Sequence, residues 1–197
     1  MSEITAVWEK IEQWYAEQGA SHLLNPPASE QEITAAETQL GVSFPDEWRE
    51  SMLRHNGTAE DGWLYGTLLE VKDIVQRERG WRELLEDGSF GSNVDHDASE
   101  GEEATQSGWW VAGWIPLDVD GSSNGSVVDM VPGPHGVEGQ ILDMDHEVGP
   151  SGPQHDSLVE YLQAVLDELE SGDYVYHDNG IYDALDAQND AENEEDS

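Results

Sequence analysis

Cysteine is absent from the 197 residues, which excludes a disulfide framework, a thiolate zinc site and a cysteine nucleophile. The fold must therefore stand on packing alone. Cations are nearly as scarce: 7 Lys and Arg stand against 44 Asp and Glu, for a formal net charge of −37. A charge of that size makes nucleic acid and anionic membrane surfaces poor partners. No apolar run approaches the roughly 20 residues that span a bilayer. The start, Met1-Ser2-Glu3-Ile4-Thr5, lacks the basic and apolar regions of a signal peptide. The chain reads as a cytoplasmic protein with no membrane partner. Also missing are a Gly-x-Ser-x-Gly elbow, a Walker loop and a dinucleotide fingerprint, so the expectation is a protein that is not an enzyme and needs no cofactor.

What is present in excess is acid. Two explanations compete: a solvated anionic surface suited to a salty cytoplasm, and a surface that steers a basic partner toward itself. Either way the compact state repels itself, and salt should relieve that repulsion, because exposed charges more than about 10 Å apart are largely screened near 0.1 M.

Apolar spacing divides the chain. Ile4, Val7, Trp8, Ile11, Trp14 and Tyr15 follow the three-and-four rhythm of an amphipathic helix that Gly19 ends. Ser29-Glu30-Gln31-Glu32 reads as a capping box before a second helix carrying Ile33, Ala36 and Leu40, and Pro45 opens a third around Trp48 and Met52. A fourth is expected from Glu70 to about Leu85, with Gly80 as an interruption. Residues 86–107 read as a long exposed acidic loop. Three β-prone runs follow, Trp109 to Leu117, Ser126 to Val131 and Gln140 to Asp143, separated by turn residues. Ser157 then caps a closing helix with Leu158, Tyr161, Leu162, Val165, Leu166 and Leu169 on one face. The expectation is one α+β domain, residues 1–172, with helices packed on a mainly antiparallel sheet, and an acidic tail at 173–197. That tail holds nine acids and no Lys or Arg, a composition that is usually disordered or loosely held, although Tyr174, Tyr176, Ile181, Tyr182 and Leu185 could dock part of it.

The order of several weak motifs resembles the SUKH superfamily of cell-wall regulators and toxin-immunity proteins. It runs from the capped helix at Ser29 through Gly41-Val42-Ser43-Phe44-Pro45 to His55-Asn56-Gly57. Trp114-Ile115-Pro116-Leu117, Val127-Val128-Asp129, Pro132-Gly133-Pro134 and Asp145-His146-Glu147 then follow. The resemblance covers roughly residues 29–170. It implies an α+β protein-binding module. The leading expectation from it is an immunity-type protein that neutralises a basic toxin domain by binding it. The alternative is a scaffold or regulator of cell-wall synthesis.

Candidate contact residues are Asp118, Asp120, Asp129, His146 and Glu147 as the acidic face, with Trp110 as the aromatic anchor and Trp114 in the core. On an extended strand Trp109 and Trp110 would point to opposite faces. A further alternative is a metal-dependent enzyme: Asp143, Asp145 and Glu147 alternate beside His146, an oxygen-rich set for a hard cation, although a solvated strand end explains the same pattern. Asp118-Val119-Asp120-Gly121 with Asn124 has some likeness to a calcium loop but lacks glycine at the sixth position, so a tight turn is the better reading.

Overall fold

The helices form where the apolar rhythm and the caps agree. A computed structural model describes residues 1–64, 66–91 and 95–195. The Ser2 side chain accepts the Thr5 amide at 3.1 Å and starts α1 (Glu3–Glu17), whose six apolar residues in rhythm are all buried. A reciprocal capping box between Ser29 and Glu32 starts α2 (Glu30–Leu40), and Gly41 ends it in the left-handed region at φ 74°. Pro45 leads into α3 (Asp46–Arg54), with Trp48 and Met52 inward. The fourth helix, α4 (Val71–Glu86), runs through Gly80 without a break, because nothing there competes with helical geometry.

The sheet is short-stranded and antiparallel. Strands β1 (Thr67–Leu68), β2 (Trp114–Pro116), β3 (Asp118–Val119), β4 (Gly125–Asp129), β5 (Gln140–Asp145) and β6 (Gly149–His155) form a β1-β3 pair and a four-stranded sheet ordered β2-β4-β5-β6. The Ser157 side chain accepts the Glu160 amide at 3.2 Å to start α5 (Leu158–Ser171), and Gly172 ends it. The result is an α+β fold with helices on an antiparallel sheet, as expected. Among the described residues no helix is long and apolar enough to cross a membrane.

Alternation along the strands sends side chains to two different cores. Ile115, Val128 and Ile141 join the helical core with α1, α3 and α5, where Trp8 and Tyr15 are fully buried. Trp114, Val127, Leu142 and Met144 face the other way into a second cluster with Trp109 and Trp110. Burying the apolar side chains of α5 is worth on the order of 1.5–3 kcal/mol each, which makes this helix the main cover of the first face.

Three expectations need correction. Trp109 and Trp110 precede the strand rather than belonging to it, so strand alternation does not separate them and both enter the second cluster. Among its described residues the segment 86–107 carries no strand and only the end of α4, but its second half is partly buried, at Ala98, Ser99, Ala104 and Thr105. Backbone bonds tie it to the middle of β6 and to the β4–β5 connection, with Gly152 N–H donating to Ala98 O at 3.0 Å and Gly133 N–H to Ala104 O at 3.0 Å. Residues 92–94 of that loop lie outside the described residues.

The acidic tail, finally, is partly built into the fold. Residues Tyr174–His177 (β7) and Gly180–Asp183 (β8) form a hairpin that leads into α6 (Ala184–Glu195). Ile181 is 4% exposed in the helical core, and its N–H donates to Asp61 O at 2.8 Å. Tyr174 and Tyr176 pack against the same core, and the Tyr176 ring meets His22 edge-on at 5.6 Å, so the hairpin is held despite its charge.

Candidate functional site

The central strand β5 changes environment along its length. Ile141, Asp143 and Asp145 share one face by alternation; Ile141 is buried under the helices, whereas Asp143, two residues on, is exposed. The helical cover therefore stops between them. Opposite, β6 departs from regular pairing: Ile141 pairs with His155 and Asp143 with Ser151, so Gly152, Pro153 and Gln154 together face the single Leu142. A bulge of this kind bends the strand away from its partner. The uncovered sheet face and the bent strand enclose a groove of about 460 Å³, bordered by Asp143, Asp145, Gln154 and His155, with Tyr161 at its floor.

A buried polar chain supports one side of this groove. Asp118 is 1% exposed; it accepts the Ser126 amide at 2.6 Å through Oδ1 and the Tyr161 hydroxyl through Oδ2. The same Tyr161 oxygen accepts from Trp63 Nε1 at 2.7 Å. Burial pushes the Asp118 carboxyl up to about 6, against the pull of Tyr161 and Ser126. Gly125 packs so close to this residue that a Cβ would lie 2.2 Å from the Asp118 carbonyl oxygen, which no side chain tolerates. Asp120 organises the adjoining turn, accepting the amides of Ser122 and Asn124, each at 2.8 Å. The calcium-like spacing is thus a tight turn. Arg77 fastens it from behind, donating to Ser123 O at 2.6 Å.

The acids of the groove differ in how they are satisfied. Backbone N–H groups of Val148 and Glu147 bond the Asp145 carboxylate and hold it below the usual carboxylate range. Asp143 has no hydrogen-bond or ion-pair partner for its side chain among the described residues; partial burial pushes its carboxyl up, against the pull of nearby His155. Compensation from cations is remote. None of the seven Lys and Arg lies beyond Arg82, whereas 29 of the 44 acids do. In the helical part, Arg49 pairs with Glu30 and Glu37, Arg54 with Glu12, Lys72 with Glu70 and Arg82 with Glu78.

Three of the expected contact residues are withdrawn from the surface. Asp118 serves the buried chain just described. Asp129 is fully buried, its Oδ1 accepting the Val131 amide and its Oδ2 accepting from Thr105 and Gln140, all within 2.9 Å. Trp110, 2% exposed, stacks on Trp81 at 5.4 Å between ring centroids and meets Trp114 edge-on. Charge and aromaticity could not reveal this, because Asp129 is covered from a segment that reads as loop and Trp110 by the distant Trp81 of α4. Trp114 is in the core, as expected.

Asp120 borders the groove, half-buried, while His146 and Glu147 are exposed in the turn after β5, where Asn124 Oδ1 holds the His146 ring at 2.9 Å. The alternating set Asp143, Asp145 and Glu147 does not converge, since Glu147 has left the strand. Among the described residues no three His, Asp or Glu side chains gather as a metal site. The groove residues that sequence reasoning missed are Asn124, Gln154, His155 and Tyr161. Tyr161 carried a signal for core packing only, Asn124 for a turn only, and Gln154 and His155 carried none.

Comparison with known proteins gives the lineage. The chain is 26% identical over 92% of its length to the cell wall assembly regulator SMI1 of Saccharomyces cerevisiae, covering 44% of that protein. It is 26% identical over 87% of its length to the cell wall biosynthesis/cell cycle regulator smi1 of Schizosaccharomyces pombe, covering 37%. To the glucan synthesis regulatory protein of Neurospora crassa it is 24% identical over 86% of its length, covering 39%. The chain thus spans about two fifths of the length of these curated relatives. The model of the SMI1/KNR4 family (SUKH-1) matches residues 27–164, more than half of the chain, and the protein belongs to that family.

Proposed function

We propose that this protein is a non-enzymatic binding module that regulates other proteins by associating with them, with the groove beside Asp143 as the centre of its contact surface. The observation that carries the reading is the carboxylate of a central strand left uncovered and unpaired on the face that the helices otherwise bury. Covering that carboxylate without a partner would be costly, so the face stays open, and a cationic ligand is what could close it favourably.

The relatives' names support regulation as the biological context, as regulators of wall assembly in Saccharomyces and of glucan synthesis in Neurospora. The regulator alternative is accordingly carried forward in place of toxin neutralisation, which these names do not support. Mechanistically the module works by occupancy: uncompensated acids attract a cationic partner at long range, and the shaped groove selects among the partners that arrive. The test is cross-linking of the full chain in lysate of its own cells, with bound proteins identified and then reconstituted pure. A defined complex whose association slows as salt rises is the expected result. If no purified protein binds saturably, the reading fails.

A further inference from the structure

Resting on that reading, we infer that the groove beside β5 receives an arginine side chain presented by an extended basic segment of the partner. The argument begins with the uncovered sheet face. Asp143 and Asp145 stand two residues apart on one face of β5, about 7 Å along the strand, so both carboxylates border one opening. Backbone amides bond Asp145 and hold it below the usual carboxylate range, and among the described residues no Lys or Arg pairs with Asp143, which has only His155 nearby.

Charge complementarity then selects the occupant. Every Lys and Arg of the chain lies at or before Arg82. The nearest of them to the site, Arg77, is turned to the back of the 120–124 turn and engaged by Ser123 O. The site must draw its cation from another molecule. A second copy of this chain would bring more acid than base, with a net charge of −37 on each, and is the least suitable partner.

Shape favours arginine. The groove combines carboxylates with the half-buried ring of His155, which meets Tyr161 edge-on at 5.9 Å. A guanidinium is planar and weakly hydrated and carries a three-methylene stem. It gains from an aromatic wall as well as from paired carboxylates, where an ammonium gains mainly from charge. The volume of about 460 Å³ leaves room for one such side chain and the backbone that presents it.

The experiment is a titration of the ¹⁵N-labelled full chain with N-acetyl-arginine-methylamide, followed by amide shifts. The neutral citrulline analogue and the lysine analogue are run in parallel at low and high salt. The expected result is a saturable shift confined to amides around Asn124 to Ser126, Asp143 to Asp145 and Gln154 to His155. Citrulline should leave them unmoved, and lysine should bind more weakly. Asp143→Asn together with Asp145→Asn should reduce arginine affinity about tenfold or more, with the remaining spectrum unchanged as evidence of folding. Shifts spread evenly over the acidic surface, or equal effects of citrulline, would overturn the inference. Capture of the reconstituted partner separates the two levels. If the double variant binds that partner as well as the unaltered chain does, the groove inference falls and the regulatory reading stands. If neither binds, the regulatory reading falls.

Discussion

Residues 1–82 and 83–197 meet the same problem, an excess of acid, in opposite ways. The first region holds all seven cations and spends four of them on carboxylates at 2.6 to 3.1 Å, over a helical core that includes Trp8 and Tyr15. The second has 29 acids and no cation. It hides Asp118 and Asp129 in hydrogen-bonded interiors and leaves the rest to solvent and salt. Charge is therefore structural in one region, where it joins helices, and available in the other, where a partner can use it.

The largest test of that contrast is salt. Going from 1 M to 0.02 M salt should lower stability by several kcal/mol, on the order of 10 °C in Tm, through self-repulsion. Neutralising exposed acids such as Glu102, Glu103 and Asp173 should shrink this dependence, whereas neutralising Glu30 and Glu37, which hold Arg49, should destabilise at every salt concentration. A Tm indifferent to salt would break the comparison.

Next in size is the pH response of Asp118. Its folded carboxyl, at about 6, lies above its ordinary value of 3.8, so the native state keeps a proton that the unfolded state has released. Stability should accordingly rise as pH falls from 7 to 4, by up to about 3 kcal/mol. Urea unfolding across that range should show a flatter profile for Asp118→Asn; parallel profiles would mean that exposed acids alone set the response.

Smaller effects sharpen the boundary. Arg54→Met removes a two-pronged contact with Glu12, which also meets His55, and should cost about 1 kcal/mol by denaturant midpoint, since the pair is partly exposed and screened. Ending the chain after Asp183 should cost about 1 kcal/mol or less in the same assay. Ending it after Gly172 should cost about 2 kcal/mol or more, because Ile181 then leaves the core. Equal losses from the two truncations would place the docking in α6 instead of the hairpin.

The parts of the fold readable in the residues are those decided locally. Ser29 and Glu32, Ser157 and Glu160, and the rhythm of α1 act within one or two turns, so their spacing is a sufficient signal. The same holds for the tight turn organised by Asp120. Of the expected contact surface, only Asp120, His146 and Glu147 remain accessible, because accessibility is set by segments far away in the chain. Asp129 is covered through Thr105, and Trp110 through Trp81.

By itself, then, the sequence determined the α+β class, the approximate bounds of α1 to α5, the SUKH likeness and the anionic character, all properties of neighbouring residues or of composition. Only the tertiary structure decided which acids are interior and which are free. Asp118 and Asp143 are both strand aspartates; one lies under Tyr161 and the other lies just past the reach of the helices. The physical reason is that a carboxylate's solvation and pairing depend on what packs over it, and here that cover comes from helix α5 and from the loop at 95–110, placed by contacts that no short window of residues contains.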